Sequence, residues 1–238
     1  MMGFFYSYMD TTTLYSLFLK SAGVTTDTRN MTKGAIYFAI KGDNFDGNSF
    51  AQEAIKAGAT AAVCDDPSVK GDGIIIVPDA LEALQDLARY HRRQFNIPVL
   101  GITGSNGKTT TKELISRVLS QKYKVHTTTG NLNNHIGVPL TILEAKEDTQ
   151  FMVIEMGANH QGEIGSLCSI AEPGYGLITN IGKAHIEGFG SIEGIVKGKG
   201  ELYDWLIENT DAQPDTTRHQ LSFLATCLEN APKELLGK

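Results

Sequence analysis

The sequence predicts an α/β protein of two units: a small N-terminal α/β unit, then an incomplete P-loop-type unit with a mostly parallel sheet and helices on both faces. Three observations carry this expectation. Short apolar, β-branched runs alternate with helix-patterned segments from residue 23 to 206, and such alternation builds parallel strands joined by crossover helices. Residues 99–114 read VLGITGSNGKTTTKEL, a strand, a glycine-rich turn and a helix start in that order. Between the two runs lies one amphipathic helix closed by Pro98.

In the first unit, assigned to residues 12–80, strands are expected in AIYFAI (35–40), TAAVCDD (60–66) and GIIIVP (73–78), with a helix in SFAQEAIKAG (49–58). Leu81, Leu84, Leu87 and Ala88 then fall on one helical face, and Asp79 suits the N-cap. This helix, over 81–98, is read as the connector. In the second unit, 99–206, strands are expected at 99–103, 123–127, 151–155 and 175–180, and helices at 108–121, 137–144, 163–170 and 191–206. Ligands of such sheets bind outside the carboxyl ends of the strands. Residues 207–238 stand apart, a polar, turn-rich stretch followed by LSFLATCLENAPKELLGK, whose pattern suits an amphipathic helix.

Composition excludes several function classes. A net charge of -6 over 238 residues argues against general nucleic-acid binding, which needs a basic footprint. Cys64, Cys168 and Cys227 are odd in number and widely spaced, the usage of reduced thiols in a cytoplasmic setting. MMGFFYSYMD lacks a basic n-region, so no signal peptide is expected, and no apolar stretch reaches membrane-spanning length.

The chemistry concentrates in five segments. In TGSNGKTT, glycines let backbone N–H groups close on phosphate oxygens, Lys108 can reach terminal phosphates, and the Thr109 hydroxyl can ligate magnesium. The spacing departs from the general P-loop pattern, since Ile102 stands where its first glycine would be, and an ordinary strand-to-helix turn is the alternative. FMVIEMGA ends a buried strand at Glu155, where a metal beside a phosphate loop needs an oxygen. TNIGKAHIEGFGS places Asn180, Lys183, His185 and Glu187 after the next strand, either as ligands or as plain loop polarity. GNLNNHIGVP gathers Asn131, Asn133, Asn134 and His135, amides and a ring suited to sugar hydroxyls and peptide groups. Lys197 and Lys199, two positions apart on a helix, differ by about 200° in direction, so only one can face a site.

In this order, TGSNGKTT, GNLNNHIGVPL, VIEMGA, ITNIGKAHIEGFGS and KGELY resemble the Mur ligases of peptidoglycan synthesis, and most of all the branch that joins D-alanyl-D-alanine to UDP-N-acetylmuramoyl-tripeptide. The segment 25–63 resembles that branch's UDP-binding domain. The resemblance implies an ATP- and Mg2+-dependent amide ligase working through an acyl phosphate. It implies that Gly104, Ser105, Asn106, Gly107, Lys108, Thr109 and Thr110 hold ATP, and that Thr109, Glu155, His185 and a carbamylated Lys199 hold metal. Lys108, Lys199 and His185 are then catalytic, while Thr28, Arg29, Asn134 and His135 contact the UDP-sugar. The family's central domain is longer and is followed by a third domain that delivers the amine. The tail after Leu206 resembles neither, so an incomplete ligase is expected, with a non-catalytic nucleotide-sugar and ATP-binding fragment as the alternative. Folylpolyglutamate synthases share the phosphate loop and modified lysine, but segment 25–63 argues against them.

Overall fold

A computed structural model describes residues 9–42, 44–182 and 186–209. The chain divides into two compact units, Met1–Gln94 with Ile142–Glu144, and Phe95–Thr141 with Ala145–Lys238.

The first unit opens with α1 (Thr11–Phe18), started by the Asp10 carboxylate, which accepts the Thr13 N–H at 2.8 Å. Then follow β1 (Val24–Thr25), a 3-10 turn (Thr28–Asn30), β2 (Ile36–Phe38), a hairpin of β3 (Lys41–Gly42) and β4 (Phe45–Asp46), α2 (Ala51–Lys56), β5 (Ala61–Cys64), β6 (Ile74–Ile76) and α3 (Ala80–Arg92). Strands pair in parallel in the order β1-β2-β5-β6. Because successive strand side chains point to opposite faces, Tyr37 and Ala62 pack with Ala51 and Ala54 of α2. Ile36 and Phe38, both fully buried, are left for the other face.

The segment 81–98, expected as a connector, is corrected by the structure. Its helix is α3, which starts at Ala80, where the Asp79 carboxylate caps the Glu82 N–H at 2.8 Å, and ends at Arg92. It packs against α1 and β2 inside the first unit. The reason is visible in Leu84, Leu87 and Ala88, which are wholly buried: an apolar face of that width needs a core to lie on.

From Phe95 on, the chain runs β7 (Val99–Thr103), α4 (Lys108–Leu119), β8 (Val125–Thr127), α5 (Gly137–Leu143, whose last two residues are counted with the first unit), β9 (Phe151–Glu155), α6 (Glu163–Ala171), β10 (Tyr175–Ile178), α7 (Ile186–Phe189) and α8 (Ile192–Asn209). Its strands are parallel in the order β10-β7-β9-β8. Every residue of β7 and β9 is buried, as expected for central strands covered on both faces. Leu100, Ile102 and Val153 pack with Ile115 and Leu119 of α4, whereas α6 and α8 pack together and α8 lies on β10 and β7. At Gly101 a β-carbon would stand 3.1 Å from Leu202, so α8 approaches the sheet there because no side chain intervenes.

This order decides where a ligand sits. The chain leaves β7 toward β8 and leaves β9 toward β10, on opposite sides of the sheet. The carboxyl ends of β7 and β9 therefore flank a topological switch point, the crevice where open α/β sheets bind ligands. The expectations for Lys183, His185, Cys227 and the tail from residue 210 onward lie outside the described residues.

Candidate functional site

The phosphate loop fills the turn between β7 and α4. Gly104 has φ +141°, and a β-carbon there would lie 2.0 Å from the Thr179 hydroxyl, so the position accepts only glycine. Gly107, at φ +77°, is the left-handed N-cap of α4. Thr111 N–H bonds Gly107 O at 2.9 Å, which leaves the N–H groups of residues 107–110 as the open amino end of a 12-residue helix. Lys108 donates to Gly104 O at 2.8 Å and is half-buried. Thr109 and Thr110 are exposed in the first turn. Ser105 and Asn106 are used differently. The Ser105 hydroxyl exchanges hydrogen bonds with the Gly182 backbone, and the Asn106 N–H is taken by the Asn180 side chain at 3.1 Å.

Across the crevice, Glu155 ends β9 beside Ile102 of β7. It is 1% exposed. Its Oε1 accepts from Asn133 Nδ2 at 2.8 Å, but its Oε2 is buried with no hydrogen-bond partner. A buried carboxylate oxygen without a donor is costly, and a divalent cation in the crevice would satisfy it. Among the described residues no group of three or more His, Cys, Asp or Glu side chains could hold a metal. A cation here would thus also draw on the Thr109 hydroxyl and phosphate oxygens, the oxygen set that magnesium prefers. Asn133, which orients Glu155, lay in the amide cluster read from sequence but without an assigned role.

Lys199 projects from α8 into the same place and is 1% exposed, while Lys197 is exposed. Of the two lysines that diverge by about 200° on the helix, it is Lys199 that the structure buries. It shares with Lys108, Asn133, His135, Gly157 and Glu163 a cavity of about 520 Å3. Burial, and then the positive charge of Lys108, push the Lys199 amine below the ordinary lysine range, against the opposing pull of Glu163. Its ammonium stands 5.3 Å from the centre of the Phe189 ring. Two residues on, the Glu201 carboxylate accepts the N–H groups of Gly162 and Gly165 at 2.6 and 2.9 Å, which fastens α8 to the amino end of α6.

The loop residues expected at the sugar, Asn134 and exposed His135, stand together at the cavity and line it. Asn134 also caps α5, its Oδ1 accepting from Ile136 N and Gly137 N at 3.1 and 2.8 Å. In the first unit, Thr28 and Arg29 form the 3-10 turn after β1. Arg29, with an 85% exposed side chain, pairs with Asp27 at 2.7 Å. The Arg29 side-chain and backbone donors hold the Asp27 carboxyl down at about 2. The guanidinium is therefore presented to solvent beside the Asp27 carboxylate.

Residues 102–220 match the model of the Mur ligase middle domain, half of the chain. The chain belongs to the Mur ligase family. Residues 20–92 match a second model of the family, described as Mur ligase family, catalytic domain. The chain is 46% identical over 191 residues to the UDP-N-acetylmuramoyl-tripeptide–D-alanyl-D-alanine ligase of Bacillus subtilis, covering 79% of this chain and 42% of that protein. To the ligase of the same name from Escherichia coli it is 44% identical over 186 residues, covering 78% and 41%. Among solved structures, MurF from Acinetobacter baumannii matches with a TM-score of 0.73 at 38% identity, over 77% of this chain and 41% of that one. MurF ligase from Thermotoga maritima, solved in complex with ADP, matches with a TM-score of 0.73 at 34% identity, over 85% and 49%. The chain thus spans about two fifths of the length of the curated relatives it matches.

Proposed function

We propose that this Mur ligase chain carries the nucleotide, metal and UDP-sugar sites of an ATP-dependent amide ligase that adds D-alanyl-D-alanine to UDP-N-acetylmuramoyl-tripeptide in the cytoplasm. The observation that carries the reading is the convergence of Lys108, Lys199 and the Asn133–Glu155 pair at the β7/β9 switch point.

In this reading the N–H groups of residues 107–110 bind the ATP phosphates, and Lys108 exchanges Gly104 O for a terminal phosphate oxygen. Glu155 Oε2 and the Thr109 hydroxyl would hold magnesium, with Asn133 keeping Glu155 in place. A second metal would be held by His185 and by Lys199 carboxylated with carbon dioxide: the ammonium first loses one proton, the neutral amine then forms an N–C bond with carbon dioxide and loses a second, so that a cation is replaced by an anion. When bound, magnesium neutralises charge on the transferring phosphoryl group. The tripeptide carboxylate attacks the γ-phosphorus and ADP leaves, giving an acyl phosphate. The amine of D-alanyl-D-alanine then attacks the acyl carbon, inorganic phosphate leaves, and the amine proton is lost as the amide forms. Thr28 and Arg29 bind the UDP end, and Asn134 and His135 lie along the sugar.

Carboxylation needs a neutral amine. Because the Lys199 amine lies below the ordinary lysine range, its neutral fraction grows at lower pH than that of an ordinary lysine. With 13C-bicarbonate, a carbamate signal that rises with pH and disappears in Lys199→Ala but not Lys197→Ala is expected in the NMR spectrum. A signal that survives Lys199→Ala removes the assignment.

The function is tested by calorimetric titration of the chain with UDP-N-acetylmuramoyl-tripeptide in the presence of magnesium and a non-hydrolysable ATP analogue. Saturable binding, weakened at least about tenfold in Arg29→Ala by loss of a charge-assisted contact, is expected. ATP binding without any binding of the sugar peptide would reject this substrate.

A further inference from the structure

We propose that Asn180 is a positioning residue for the phosphate loop, holding the Asn106 peptide so that the N–H groups after it face a phosphate. The inference rests on the nucleotide site proposed above. Asn180 lies two residues past the end of β10, the strand that pairs with β7. Its side-chain carbonyl accepts the Asn106 N–H at 3.1 Å and its side-chain amide donates to Asn106 O at 3.0 Å. The carboxamide thus grips both backbone groups of one loop residue, as a paired strand would. Its own carbonyl accepts the Ser105 N–H at 3.0 Å. On either side of it, the Thr179 hydroxyl donates to Asn106 O at 2.6 Å and Gly182 N–H donates to the Ser105 hydroxyl at 2.9 Å.

Two consequences follow from this pairing. The N–H groups of Ser105 and Asn106 are already spent, so the phosphate-facing donors begin at Gly107. Gly107 has no β-carbon to restrict it and stands at φ +77°, a conformation that glycine leaves almost as easily as it enters. What fixes it is the peptide before it, and that peptide is held from the neighbouring strand. An amide suits the task because it offers a donor and an acceptor together. An aspartate keeps only the acceptor and turns an oxygen toward Asn106 O.

The test compares the 238-residue chain with Asn180→Ala and Asn180→Asp, using calorimetry with ATP and with inorganic tripolyphosphate, both with magnesium, and thermal melting without ligand. The expected result is a loss of about tenfold or more in affinity, by a similar factor for both ligands because the loop meets only phosphates, with melting temperatures close to the parent's. Unchanged affinity in both variants overturns the proposal. So does failure of both variants to fold, which would make Asn180 a residue of the fold rather than of the site. If the parent itself binds neither ligand, it is the nucleotide site that fails.

Discussion

Replacing Lys108 with alanine is expected to lower ATP affinity roughly ten- to a hundredfold, since a hydrogen bond to a charged group contributes about 1.5–3 kcal/mol. The ammonium is well placed for this effect. It sits half-buried at the start of α4, tethered only to a carbonyl of its own loop among the described residues, so little reorganisation separates the resting pose from one on a phosphate. The fold should be indifferent to the change, because that tether joins two residues of a single turn. Calorimetry with ATP and magnesium, beside a thermal melt, checks both halves. Equal affinity in variant and parent would mean that the loop is an ordinary turn.

Glu155→Gln is expected to reduce the apparent magnesium affinity of the ATP complex by at least about tenfold, given that even residues behind metal ligands typically contribute ten- to a hundredfold. The substitution keeps the shape and keeps an oxygen for Asn133 Nδ2, while it replaces the unpartnered Oε2 with an amide that repels cations. Without metal the variant should be no less stable than the parent, because the change removes a buried charge while one unpartnered polar group takes the place of another. Magnesium titration of ATP binding separates these effects. An unaltered magnesium dependence would place the metal elsewhere.

Much of the architecture was legible because its signals are local. The strand, turn and helix at 99–114 each follow from a few residues, whereas helical geometry says only that one of Lys197 and Lys199 faces a site, and the resemblance of KGELY to the Mur ligases is what implies Lys199. Other features were not, because they depend on which strands become neighbours. Glu155 looked like a strand end beside a phosphate loop, but its pairing with Asn133 bridges 22 residues, and Asn180 meets the loop from 74 residues away. Neither partner carries a motif that names the other. The helix at Ala80–Arg92 was misread for the opposite reason. Its amphipathic pattern was clear, but the pattern states only that one face is buried, not which unit buries it. Asn134 illustrates a third case, in which an amide that suits a sugar also suits a helix cap, and here it is seen capping α5.

The central claim is that the crevice between the ends of β7 and β9 is a magnesium-dependent ATP site. Calorimetric titration of the unmodified chain with ATP, in excess magnesium and then in a chelator, measures it most directly. Saturable binding that weakens strongly when magnesium is withdrawn is the result predicted by the open amino end of α4 together with the unpartnered Glu155 oxygen. Absence of ATP binding in magnesium, or binding of equal strength in the chelator, would contradict it.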